Sequence, residues 1–435
     1  MIRQTIKKSW IEWILLLILV FLTPLFIFPS VKYLWVLLIL PVILFIRFRI
    51  RKRFLPKTAL DLPLLLLTIQ VIATCIIVPD LSFSLPKITG VFFGILIFYA
   101  VTSVLIEEEF IKGGISLYIL GGMLFALLTL SGLNWDYDSL VFSLARLLGI
   151  PLDKTVFTRQ VIPSLEKVIP RLNWNIPGSE HGFNGNAIGG FIILLFPLCL
   201  AILIPYCRSK SAANRLYSKG YFAFFLILFM VIFSGILFLT LSIVSWMALV
   251  ISLWIVFFSK KWKAVSAGLL VALVIFSILI FPSKFSSISK TIKGDLDPEK
   301  IDYRLQWWGI AVDTIKSNPF FGIGMNRIRL HPEIGYERSH VHNHFLQTAA
   351  ELGIPGLLAY LAIVAVAAIM CVRIWHNPAA GWMKYAAMGL GCGQLAHFLF
   401  GTIDCIPLGA KVGIFFWLSL SMITALYNYS IRRTA

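Results

Sequence analysis

Residues 221–258 read YFAFFLILFMVIFSGILFLTLSIVSWMALVISLWIVFF, a stretch without one charged side chain. About 20 apolar residues in a helix cross the hydrocarbon core of a bilayer, so this stretch is long enough to cross twice. Backbone polar groups in lipid must be satisfied within the segment, and an unbroken apolar run does this as a helix. The pattern predicts two spans, 221–239 and 241–258, folded back on each other at residues 240–242. Working outward, similar runs stand near 11–29, 33–48, 61–79, 88–106, 113–131 and 186–206 on one side. Others stand near 263–281, 353–374, 382–400 and 411–430 on the other. The fold class expected is an all-α polytopic membrane protein with about 12 transmembrane helices and two large outer loops.

Composition points the same way. Of 435 residues, 59% are hydrophobic and 13% are charged, about half the charged share of a soluble domain. The formal charge of +18 does not indicate nucleic acid, because most basic residues sit at the ends of apolar runs. Cys75, Cys199, Cys207, Cys371, Cys392 and Cys405 are scattered without CxxC spacing, which argues against a disulfide framework or a zinc knuckle. The run that begins near residue 11 follows a basic start and is followed by Pro29, Lys32 and Tyr33 rather than a small-residue cleavage site. It reads as a membrane helix, not a cleaved signal.

Orientation follows lysine and arginine in the short loops. Arg3, Lys7 and Lys8, the basic group at 47–57, and Arg208, Lys210, Arg215 and Lys219 fall on one side. Lys260, Lys261, Lys263, Arg373, Lys384, Arg432 and Arg433 fall on the same side, which the rule makes cytoplasmic. The chain then divides into helices one to five (1–131), a first outer loop (132–185), helices six to nine (186–281), a second outer loop (282–352) and helices ten to twelve (353–435). In a bacterium this is a multi-pass protein of the inner membrane with both loops in the periplasm. Within the second loop, Asp297 is a fitting N-cap, Pro298 suits a first helical position, and Asn318-Pro319 is a stop, which predicts a helix over 298–317.

The polar residues gather in those loops. Residues 340–344 read HVHNH, directly before a membrane helix that carries Gly353 and Gly356 near its start. A short helix from 343 to 352, ended by Gly353, puts His342 at a helix N-terminus. The positive end of a helix disfavours a charged imidazole, and a neutral imidazole is what a general base needs. Two other readings stay open. The histidines can be interfacial structure. If the backbone is extended, His340, His342 and His344 share a face and can take a metal, although no acidic residue stands at ligand spacing and HExxH is absent. Arg304, in DYRLQWW at 302–308, suits a phosphate or pyrophosphate or snorkels to lipid headgroups beside two tryptophans. His181, Asn184 and Asn186 lie in HGFNGNAIGG at 181–190, where the asparagines can cap a helix or hold a sugar hydroxyl.

Several of these segments together resemble the O-antigen ligase and polymerase superfamily. They are Arg304…Trp308…Ala311, then Asn318-Pro319…Gly322-Ile323-Gly324, then His342-Asn343 with nine residues to Gly353-x-x-Gly356. The entry to the helix near 186, and Ala396-His397…Gly401-Thr402-Ile403-Asp404…Gly409-Ala410-Lys411, resemble other parts of that family. The likeness covers roughly residues 180 to 430. One position departs: where the family carries a Ser-Arg-Gly-like motif, this chain has Ser242-Ile243-Val244, and the family's arginine there is taken to engage the donor pyrophosphate. Arg171, Arg327 and Arg329 are candidate substitutes.

The resemblance implies a membrane enzyme that moves a glycan from an undecaprenyl-diphosphate carrier to an acceptor hydroxyl, without cofactor or metal and with inversion. It implies His342 as base and Arg304 on the pyrophosphate. His340, Asn343 and His344, with His181, Asn184 and Asn186, would serve in support or on the substrate side. Expected partners are the lipid-linked donor, a glycolipid or glycan acceptor and membrane lipids. A lipid A–core acceptor makes a ligase, a growing chain makes a polymerase, and a protein hydroxyl makes an oligosaccharyltransferase. A flippase is the non-enzyme alternative, but transporters carry their ionisable residues within the spans, and here those residues sit in the loops.

Overall fold

The computed structural model describes residues 55–132, 185–208, 220–240, 242–257, 298–334 and 340–434, with Leu216 and a few positions between 14 and 49. Ten α-helices carry the architecture of these residues. They are α1 (Asp61–Ile77), α2 (Leu85–Val104), α3 (Glu108–Gly132), α4 (Gly185–Arg208) and α5 (Tyr221–Leu239). Then follow α6 (Ile243–Phe257), α7 (Pro298–Ser317), α8 (His344–His376), α9 (Met383–Gly401) and α10 (Ile414–Thr434). No strand occurs among the described residues, so the all-helical class stands.

Six of the described helices are long and apolar enough to cross a membrane: α2, α3, α4, α5, α8 and α10. Helices α1 and α6 are apolar but shorter. The expected spans near 11–29, 33–48 and 263–281 fall almost wholly outside the described residues, as does the first outer loop. Two local expectations match in detail. The chain breaks between Leu239 and Ile243, where Thr240 N–H closes α5 on Ile236 O at 3.0 Å. The loop helix runs from Pro298 to Ser317.

Lipid tails are as apolar as leucine, so helices in a bilayer associate through close packing and polar contacts rather than expulsion of water. The contact of α9 with α4 shows how. Gly389 and Gly393 stand four residues apart on α9. A Cβ at the first would lie 2.6 Å from Leu198 Cα, and at the second 2.4 Å from Leu194 O. Only glycine lets the two backbones approach this far. Beside this seam, Phe125 of α3, Phe191 of α4 and Phe415 of α10 interlock, with ring centroids 5.0 Å apart for the first pair and 4.3 Å for the second.

Both ends of the bundle carry charged side chains. At one end Glu108 binds Lys112 at 2.8 Å and accepts from the Trp382 indole and the Tyr429 hydroxyl. Arg373 donates to Tyr427 Oη there at 2.8 Å, and Arg432 to Ile106 O at 2.7 Å. Helices α8 and α10 start at the opposite end. That end holds the remaining polar residues of interest.

Candidate functional site

The site rests on a kink. Helix α8 is broken at Gly353, whose φ of 73° and ψ of 175° are open to glycine and little else. Pro355, two residues on, has no N–H, so the carbonyl of Glu351 loses its helical partner. The freed groups are taken by the segment after α7. Ile323 N–H donates to Ala350 O at 2.9 Å, Gly324 N–H to Glu351 O at 3.0 Å, and Ile354 N–H to Pro319 O at 2.7 Å. Gln70 of α1 donates to both Phe320 O and Leu352 O, at 2.6 and 2.7 Å. Gly322 is also at positive φ, and a Cβ on it would lie 2.5 Å from the Glu351 carbonyl. The Asn-Pro…Gly-Ile-Gly and Gly-x-x-Gly segments are therefore two halves of one backbone joint.

That joint docks α7 on the first turns of α8. Trp307, Ala311, Ile328, Ile334, Val341 and Ala350 form a small apolar core of their own. Val341 is fully buried in it. Its N–H donates to Gln347 Oε1 at 3.1 Å, and its carbonyl accepts from Trp308 Nε1 at 3.0 Å. The side chains of His340 and His342 turn toward the bundle and meet one carboxylate.

That carboxylate belongs to Asp404, in the connection between α9 and α10. Its Oδ1 lies 3.1 Å from His340 Nε2 and 3.2 Å from His342 Nδ1, and accepts from Cys405 N–H at 2.7 Å. Its Oδ2 accepts from Asn186 Nδ2 of α4 at 2.5 Å. The Asp404 side chain is 2% exposed, and that of His342 is 21%. Burial works to raise the Asp404 carboxyl, but the hydrogen bonds and charges of the two histidines outweigh it and hold it well below the usual carboxylate range. A carboxylate only accepts, so the histidine nitrogens that face it are the donors. In a neutral His342 this geometry puts the proton on Nδ1 and the lone pair on Nε2. Burial lowers the His340 imidazole against the opposing pull of Asp404.

The His342 ring is held from two more directions. Trp307 stacks on it, with centroids 5.6 Å apart and planes 18° from parallel, and the His340 ring lies 4.5 Å away. Its backbone is left-handed, with φ 54°, a conformation that costs a non-glycine residue about 1–3 kcal/mol.

The other residues singled out from the sequence take several places. Asn343 is the N-cap of α8: its Oδ1 accepts from Phe345 N–H and Leu346 N–H, and its Nδ2 donates to Thr402 O, all at 3.0 Å. His344 does not share the face of the other two histidines. It is the first residue of the helix and is buried against Tyr360, with Nδ1 3.5 Å from Cys405 Sγ. Arg304 lies partly exposed on α7, one turn before Trp307. Arg327 donates to Asp80 O at 3.1 Å, and the Arg329 guanidinium lies over the Phe83 ring at 5.4 Å, so both sit against the connection between α1 and α2. Ile243 opens α6 beside Ser242 and Ser245, whose hydroxyls are 2.8 Å apart. That turn packs on Gly189 of α4, where a Cβ would lie 2.3 Å from Ser245 Oγ. His181, Asn184 and Arg171 lie outside the described residues.

Local spacing missed Asp404 as a partner. No acidic residue stands at metal-ligand spacing from the histidines in the chain, but the fold supplies one from 62 residues beyond His342. Lys87, in the first turn of α2, was also passed over, and it bears electrostatically on His340.

Fold and site together define a polytopic helical membrane protein with a histidine–aspartate cluster at one end of its bundle. Residues 225–361 match the family model described as O-Antigen ligase, and over this stretch the chain is similar to that family, as its motifs imply. The match takes in α7, the HVHNH segment and the kink, and stops short of Asp404. No curated protein matches the chain.

Proposed function

We propose that the protein transfers a glycan from an undecaprenyl-diphosphate carrier to the hydroxyl of an acceptor, with lipid A–core as acceptor, at the outer face of the bacterial inner membrane. The single observation that carries this reading is the hydrogen bond from His342 Nδ1 to Asp404, which leaves Nε2 bare on a partly exposed ring. It stands within a region similar to O-antigen ligases.

In this scheme His342 Nε2 takes the proton of the acceptor hydroxyl as its oxygen attacks the anomeric carbon. The new glycosidic bond forms as the bond from that carbon to the carrier phosphate breaks, with inversion. Asp404 fixes the tautomer and stabilises the imidazolium that forms, a division of labour shared with other histidine–aspartate pairs. The electron pair leaves on the pyrophosphate, which Arg304 holds without a metal. His340 and Asn186 hold Asp404 in place. His181 and Asn184 are assigned to substrate binding. Arg373 and Arg432 stand at the far end of α8 and α10, and the rule of cytoplasmic basic residues in short loops supports the outer position read for the cluster.

Glycans from a deletion strain test the reading. Lipid-linked chains of normal length that fail to reach lipid A–core are the expected result. Short, unpolymerised carriers would indicate a polymerase, and loss of glycan from a protein would indicate an oligosaccharyltransferase. Carriers trapped on the cytoplasmic leaflet would replace the enzyme with a flippase.

A further inference from the structure

His340 Nε2, His342 Nδ1 and a carboxylate oxygen of Asp404 all lie within 4.8 Å of one another. We infer that these three side chains form a binding site for a zinc-class transition-metal ion, and that filling it switches the transferase off.

The geometry suits such an ion. Zinc binds histidine nitrogen and carboxylate oxygen at about 2.0–2.2 Å, so tetrahedral ligands stand about 3.3–3.5 Å apart. The two nitrogen–oxygen separations here are 3.1 and 3.2 Å. Two imidazoles with one carboxylate select zinc, copper, nickel or iron(II) over the hard cations magnesium and calcium, which prefer oxygen. Two further groups orient the carboxylate. Cys405 N–H binds the same oxygen, and Asn186 binds the other at 2.5 Å, the kind of outer support that metal ligands use. His344 is not a ligand, because its Nδ1 faces Cys405 Sγ. Three protein ligands leave the fourth position for water.

The tautomer supplies the switch. Without metal, Asp404 keeps the His342 proton on Nδ1 and leaves Nε2 bare. A metal ion bound at Nδ1 displaces that proton, and the neutral ring then carries its proton on Nε2. The atom that would accept the acceptor proton is thereby blocked. Binding itself needs only the three side chains. The inhibitory half rests on the proposed role of His342 as base.

The experiment uses the full-length, tag-free protein in detergent, stripped with EDTA and titrated with zinc sulfate by calorimetry. One equivalent of zinc should bind, and cobalt(II) at the same site should give the visible absorption of a four-coordinate nitrogen–oxygen centre. His340→Ala and Asp404→Asn should each weaken zinc binding at least tenfold while both proteins elute as the wild type does. If the wild type binds no zinc and no cobalt, or if both variants bind as tightly as it does, the site is overturned and the base reading stands. In the transfer assay, zinc should inhibit the stripped wild type, and EDTA should reverse it. If the stripped enzyme is instead inactive and zinc restores it, the switch is overturned, and with it the metal-independent base.

Discussion

His342 is held in a left-handed backbone, stacked on Trp307 and tied to Asp404. A ring fixed on three sides does not turn to bring its other nitrogen forward. His342→Ala should abolish transfer while the protein still inserts and folds, since a general base supplies about 10²–10⁴-fold in rate. Near-normal turnover in a reconstituted assay would remove it from the mechanism. Asp404→Asn is more discriminating. The amide keeps the size of the carboxylate, but its NH₂ can donate to Nδ1 and push the proton to Nε2. Transfer should fall by about two orders of magnitude or more, with donor binding unchanged in a filter assay. If donor binding falls with it, Asp404 acts on the substrate instead. The missing arginine at Ile243 poses a question of charge. If Arg304 alone faces the pyrophosphate, Ile243→Arg should raise transfer. If Arg171, Arg327 or Arg329 fills the role, Ile243→Arg should be neutral or harmful, and alanine at that arginine should cost as much as Arg304→Ala. Full activity in all three alanine variants, with no gain from Ile243→Arg, would sink the two-cation model.

At the scale of elements, the kink in α8 organises the site. Gly353→Ala forces a Cβ to 2.4 Å from Phe320 O and asks alanine for a conformation that costs about 1–3 kcal/mol before any clash. We expect a lower melting temperature in detergent and faster protease cleavage near residues 318–334, with membrane insertion unchanged. Equal melting curves would mean that the joint contributes nothing to stability. The elements themselves were legible in the sequence where their ends were marked. Helix α7 carries a proline at its first position and Asn-Pro after its last. The turn after α5 was marked by the length of an uncharged run. The histidine cluster was legible as a cluster but not as a geometry. An extended HVHNH puts all three imidazoles on one face. The helix begins at His344, and from there side chains turn by about 100° per residue rather than alternating, which carries His344 away. Asp404 was visible only within a family-like motif. Residues 62 and 218 apart in sequence, as His342 and Asn186 are from it, share no local pattern.

For the molecule as a whole, orientation is the quantity to measure. Single cysteines placed near residues 160 and 335 should react with membrane-impermeant thiol reagents from outside intact cells, and one placed near residue 55 should not. The native cysteines would first be replaced. Labelling at 55 alone would reverse the topology and put the histidine cluster in the cytoplasm, where a periplasmic acceptor is out of reach. The bundle ends bear on the same question, because α8 and α10 both run from the cluster to the end that holds Arg373 and Arg432.

The reach of Asp404 across the chain has a consequence in time as well as in space. Synthesis proceeds from the N-terminus, so Asn186 and then the HVHNH segment enter the membrane before the connection between α9 and α10 exists. Through that interval His342 stands without the carboxylate that binds its Nδ1 in the folded protein. The histidine–aspartate cluster is complete only when α9 is packed along Gly389 and Gly393 and the connection that follows it carries Asp404 to the histidines. A nascent or prematurely ended chain therefore carries the imidazoles of His340 and His342 without the carboxylate that joins them.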